Sequence, residues 1–102
     1  MNPSLLMTVY VDETDMCGEI PLYEAIVRRL LHHSIAGATV MPGTMGYGRH
    51  GRVHHKRLFG VSDDRPMAIF AVDQESKIRA ILPEIRAMVQ EGLVTVAPVE
   101  VA

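Results

Sequence analysis

The sequence predicts an α+β fold: an antiparallel sheet with two helices on one face, in the order β-α-β-β-α-β. Three observations predict it. Runs of β-forming residues lie at 4–11, 38–41, 67–72 and 93–101. Two segments between them repeat their apolar residues at helical spacing. Glycine, proline and aspartate gather at the joints, as turns require.

Ser4 to Val11 (SLLMTVYV) is apolar on both faces, which marks an interior strand. Asp12 to Ile20 reads as a loop, broken at Gly18. Pro21 suits the first turn of a helix, where a missing N–H is no loss. Leu22, Ile26 and Leu30 then recur every fourth residue, with Tyr23, Val27 and Leu31 as the adjacent stripe, so an amphipathic helix of about three turns is expected. Ala38 to Met41 is a second strand, cut short at Pro42-Gly43. Met67 to Val72 (MAIFAV) is a continuous apolar run, as in a central strand. Asp73 is the expected N-cap of a second helix, whose apolar face is Ile78, Ile81, Leu82, Ile85, Met88 and Val89. Pro83 falls inside that face and is expected to kink or split the helix, since an interior proline costs ~3 kcal/mol. Gly92 is its expected C′ stop. Leu93 to Val101 alternates as a last strand, and Pro98 places it near a sheet edge. This is the ferredoxin-like split βαβ order. The helices cover one sheet face. The other face is also apolar, and an oligomer would bury it.

A chain of 102 residues forms one domain, 1–102, with one modest core. The single cysteine, Cys17, excludes an intramolecular disulfide. No signal segment is read at the start and no apolar run approaches the ~20 residues of a membrane span, so a cytoplasmic location without membrane insertion is expected. Net charge is −2, which disfavours general nucleic-acid binding. The charge is unevenly placed. No acid occurs from Ala25 to Ser62, a span holding Arg28, Arg29, Arg49, Arg52, Lys56 and Arg57. Such asymmetry favours an anionic partner there.

That span contains GATVMPGTMGYGRHGRVHHKRL, Gly37 to Leu58, with five of the eight glycines. It is poor material for a core and good material for a ligand loop, placed at about 43–65. Gly46-Tyr47-Gly48-Arg49-His50-Gly51-Arg52 can present successive backbone N–H groups to an anion, with two guanidiniums close by. Neither a P-loop nor a dinucleotide fingerprint is present. Tyr47 can stack on a base or pack under its own loop. His50, His54 and His55 invite a metal reading. Against it, Gly51 disfavours a helix between the first two, and in a strand the last two face opposite ways. No Cys-x-x-Cys or His-Glu-x-x-His pattern supports one. Cys17 lies between Asp15 and Glu19, which argues against a nucleophile. Asp63-Asp64 reads as a turn. No triad or dyad suggests an enzyme.

Ile35 to Arg49 (IAGATVMPGTMGYGR) resembles the start of the T-loop of PII signal-transduction proteins. More closely, the chain resembles the PII-like group catalogued as domain of unknown function 190. The matching pieces are PLYEAIV (Pro21 to Val27), SIAGATV (Ser34 to Val40), GYGRHGRVH (Gly46 to His54) and EGLVTV (Glu91 to Val96). This resemblance implies a homotrimer with an inter-subunit site for a small anionic ligand, an adenine nucleotide in particular. It also implies a loop that controls a protein target such as a membrane transporter. Gly46, Tyr47, Gly48 and Arg49 are the ligand contacts it carries over, and Gly51 and Arg52 extend them. PII proteins carry a second glycine-rich, lysine-containing loop after the second helix. Here that position reads QEGLVTV, so phosphate binding through it is not expected. The alternative is a metal-tolerance trimer using His50, His54 and His55.

Overall fold

The computed structural model describes residues 3–47, 54–55 and 65–102, with 54 and 55 described by their backbone. Its elements are β1 (Ser4–Asp12), β2 (Met16–Cys17), β3 (Ile20–Pro21), α1 (Leu22–His32), β4 (Ala38–Pro42), β5 (Met45–Gly46), β6 (His54–His55), β7 (Pro66–Gln74), α2 (Glu75–Met88) and β8 (Leu93–Val99). The main sheet runs β4-β7-β1-β8, antiparallel throughout. This is the ferredoxin-like arrangement, with β1 and β7 interior and β8, carrying Pro98, at an edge.

Alternation along the central strands builds the core. Leu5, Met7, Val9 and Val11 of β1 are buried, as are Met67, Ile69 and Ala71 of β7. They pack with Leu22, Ile26 and Leu30 of α1 and with Ile78, Ile81 and Ile85 of α2. Burying each such side chain contributes roughly 1.5–3 kcal/mol. The opposite sheet face remains open. Met41, Ala68, Tyr10 and Leu93 form one cross-strand row, and Thr39, Phe70, Thr8 and Thr95 form the next. Neither row contains a charge. Tyr10 is 45% exposed, and Met41 and Leu93 are each 56% exposed, so large apolar groups stand uncovered on the single chain.

Four expectations need correction here, and a fifth, the Asp73 cap, below. The segment 12–20 is not plain loop: β2 and β3 form a small hairpin turning at Gly18, whose φ is +61°. The Leu22 N–H at the start of α1 donates to the Asp15 carbonyl at 2.7 Å, so the hairpin serves an otherwise orphaned helix donor. Leu31 is 75% exposed, because a helix of 11 residues buries one stripe and Leu31 lies a further 100° round from Leu30. Of the two outcomes expected at Pro83, the split does not occur: α2 is continuous from Glu75 to Met88, with buried Ile78 and Ile81 before the proline and Ile85 after it. Gly92 is not the helix stop either. The C-cap is Val89, and Gly92 instead lies hard against β1.

Helix α1 closes with a Schellman motif. The Ser34 N–H donates to Leu31 O at 3.0 Å and the Ile35 N–H to Leu30 O at 3.1 Å. Ser34 takes the left-handed position with φ +58°, and Leu30 and Ile35 are both buried.

Asp73, expected to cap α2, is in β7, and Gln74 holds the cap position. Its carboxylate accepts the Ala36 N–H at 2.9 Å and the Gln74 N–H at 2.7 Å, and it pairs with Lys77 at 3.2 Å. Burial pushes its pKa up, but these two backbone donors and Lys77 together pull it below the usual carboxylate range. The folded state therefore favours the ionised form. That stabilisation is complete above the unfolded value of ~3.9 and is lost as pH falls through the lower folded value. Asp73→Asn is expected to lower stability at pH 7 by about 1–3 kcal/mol, because one N–H donor then meets an amide NH2 or nothing. The gap from the unchanged protein should narrow below pH ~4 in urea melts taken from pH 7 to pH 2. A constant gap across that range would refute the assignment.

Candidate ligand site at the loop root

Strand β4 ends at Pro42, and the chain turns at Gly43 into β5. Strand β6 returns beside β5, pairing Met45 with His55 and Gly46 with His54. The root of the basic loop is thus a short antiparallel ribbon. Two of its glycines have a packing reason. A Cβ on Gly43 would sit 2.6 Å from Pro66 Cγ, and one on Gly46 would sit 3.3 Å from the same atom. The Gly43 N–H also donates to Pro66 O at 2.7 Å. The ribbon therefore rests on the first residue of β7, with backbone pressed against a proline ring.

Of the expected ligand contacts, the structure places Gly46 and Tyr47. Gly46 is half-buried at the ribbon, and Tyr47 is 76% exposed. Gly48, Arg49, Gly51 and Arg52 lie outside the described residues, as do His50 and Asp63-Asp64. Among the described residues no three His, Cys, Asp or Glu side chains gather to hold a metal ion.

Two of the six basic residues in the acid-free span belong elsewhere. Arg28 pairs with Glu24 one turn away at 2.8 Å. Arg29 pairs with Glu84 of α2, whose other oxygen is 2.9 Å from His33 Nε2, so these groups tie the helices together. Both arginines line a separate open groove of about 470 Å³ with Cys17, Ile20, Ala25, His32 and Met88. Cys17 is exposed there. The positive charge available to the loop is thus smaller than a count along the chain suggests.

Sequence reading missed Arg65 and Glu13. Arg65 precedes β7 and pairs with Glu13 of the β1–β2 turn. The Glu13 hydrogen bond raises the guanidinium above its ordinary pKa, against some desolvation. The one hint in the sequence was an acid cluster after the first strand and a lone arginine before the third. No helix of the described residues is long and apolar enough to cross a membrane.

The DUF190 family model, described as an uncharacterized ACR, matches residues 4–101. A UPF0166 protein of Aquifex aeolicus is 29% identical over 96 residues, covering 94% of this chain and 90% of the relative. A UPF0166 protein of Methanocaldococcus jannaschii is 31% identical over 97 residues, covering 94% and 89%. Among solved structures, the chain is similar to CPII of Thiomonas intermedia K12, determined bound to ADP, AMP and acetate. The TM-score is 0.70 at 17% identity, over 99% of this chain and 90% of that one. Another structure of that protein, a nitrogen regulatory PII-like protein bound to ADP, AMP and bicarbonate, gives 0.66 at 20% identity, over 97% and 88%. The divalent ion tolerance protein CutA1 of Ehrlichia chaffeensis gives 0.67 at 12% identity, over 100% and 86%. At these identities the solved structures speak for the fold alone.

Proposed function

This chain belongs to the DUF190 family, and from that premise we propose that it is a non-catalytic PII-like regulator. In this reading it assembles as a homotrimer and binds a small anion, an adenine nucleotide in particular, where the loop root meets a neighbouring subunit. The loop then controls a protein target such as a transporter.

The observation that carries the reading is the loop root. A glycine-rich ribbon is seated on Pro66, an exposed Tyr47 stands at its end, and the Arg49–Arg52 sequence follows directly. Backbone N–H groups, an aromatic face and two guanidiniums suit a purine phosphate. The fold it shares with CPII, a protein determined with ADP and AMP, supports the same ligand class.

Assembly is supported by the open sheet face. The two rows through Tyr10 and Thr8 carry uncovered Tyr10, Met41 and Leu93 and no charge, while proline stands in both edge strands, Pro42 in β4 and Pro98 in β8. Prolines blunt edge pairing, so contact through the face is favoured.

The test is mass by light scattering and a thermal shift with AMP, ADP and ATP. A trimer stabilised by one of these supports the reading. A monomer, or a trimer indifferent to all three, counts against it. The metal-tolerance alternative draws on the shared CutA1 fold and on His54 and His55 in the ribbon. Near-stoichiometric zinc or copper uptake at pH 7.5 without a nucleotide response would favour it.

A further inference from the structure

Glu13 and Arg65 are joined by three hydrogen bonds. Arg65 Nε donates to Glu13 Oε2 at 2.8 Å, and a terminal guanidinium nitrogen donates to Oε1 at 3.0 Å. The Glu13 N–H donates to the Arg65 carbonyl at 2.8 Å. The two side chains are only 31% and 24% exposed. Exposed single-contact ion pairs contribute little. A bidentate, partly desolvated pair fixes geometry as well as charge.

The pair lies just beyond the last rung of the β1–β7 ladder, Asp12 opposite Pro66. It therefore fixes the chain where β7 begins. The next residue is the seat of the ribbon: the Pro66 ring occupies the space a side chain would need at Gly43 and Gly46, and the Pro66 carbonyl holds the Gly43 N–H. A continuous set of contacts thus runs from the β1–β2 turn to Gly46.

We propose that Glu13 is a positioning residue for the anion site at the loop root, acting through Arg65 and Pro66. The role rests on the nucleotide reading above. Its sign is diagnostic. Simple electrostatics predicts that removing a negative charge near an anion site tightens binding. Loss of positioning predicts the reverse.

The experiment measures ADP binding by calorimetry and the exchange rate of the Gly43 amide in the full chain. The proteins are wild type, Glu13→Gln and the swapped pair Glu13→Arg/Arg65→Glu. Glu13→Gln is expected to bind ADP about tenfold more weakly, or roughly 1.4 kcal/mol. Its Gly43 amide should exchange several-fold faster, with the helical circular dichroism unchanged. The swapped pair should recover most of both losses. Equal or tighter ADP binding by Glu13→Gln, with Gly43 exchange unaltered, overturns the role. Should Glu13→Gln not fold, the swapped pair decides: wild-type affinity and exchange support positioning, and loss of both refutes it. If wild-type protein takes up no ADP, the nucleotide reading fails, and the positioning role stands or falls on the Gly43 exchange rate.

Discussion

Gly92→Ala is expected to destabilise the fold by about 1–3 kcal/mol, as overpacking typically does. At roughly 4–8 °C per kcal/mol, its Tm should fall by many degrees. The added Cβ would lie 2.4 Å from Tyr10 O and 2.8 Å from Val89 Cγ1. The valine methyl can yield by rotation. The carbonyl cannot, because Tyr10 lies in β1, held by β7 on one side and β8 on the other. Relief must come from moving the turn between α2 and β8, and with it the register that sets Leu93 opposite Tyr10. Gly37→Ala is the control. Nothing lies within 4 Å of its Cβ position and its φ is not left-handed. It should be neutral or gain ~0.4–1 kcal/mol through a less free unfolded chain. Equal melting curves for the two variants would refute the close approach.

Arg49→Ala with Arg52→Ala is expected to all but abolish nucleotide-dependent stabilisation. A hydrogen bond to a charged group is worth about 1.5–3 kcal/mol, so losing two weakens binding roughly 10²- to 10⁴-fold. Ligand at 100 times its Kd adds about 2.7 kcal/mol to the native protein. The double variant should keep at most about 0.4 kcal/mol of that gain at the same concentration. The described core is assembled from β1, β7, α1 and α2 without these residues, so the ligand-free Tm and the assembly mass should be unchanged. A variant that keeps the full nucleotide shift would remove the loop arginines from the site. One that keeps neither fold nor assembly would give them a structural role instead.

Much of the fold was legible because the signals were local. The apolar runs at Ser4 to Val11 and Met67 to Val72 became the two interior strands, slightly lengthened. The stripe through Ile78, Ile81 and Ile85 became the buried face of α2. The errors arose where distant residues decided. Asp73 has the composition of a helix cap, yet its oxygens are claimed by Ala36, 37 residues earlier, as well as by its neighbour Gln74. Pro83 reads as a kink or a split, yet the helix runs on through it with Ile78, Ile81 and Ile85 buried. The β2–β3 hairpin has two-residue strands, too short to show a period. At the site, the glycine-rich root was visible as composition, but not the proline ring that requires two of its glycines.

The sequence by itself determined the four long strands and two helices, their order and the apolar second face of the sheet. Each of these follows from side-chain periodicity or composition within a window of a few residues. Only the tertiary structure decided that Glu13 meets Arg65 across 52 positions, that Gly92 lies against Tyr10, and that Arg29 faces Glu84 of α2 rather than the loop. The reason is physical. Such contacts depend on which strands pair and in what register. That choice comes from burying the faces of β1, β7, α1 and α2 together, as no single segment can.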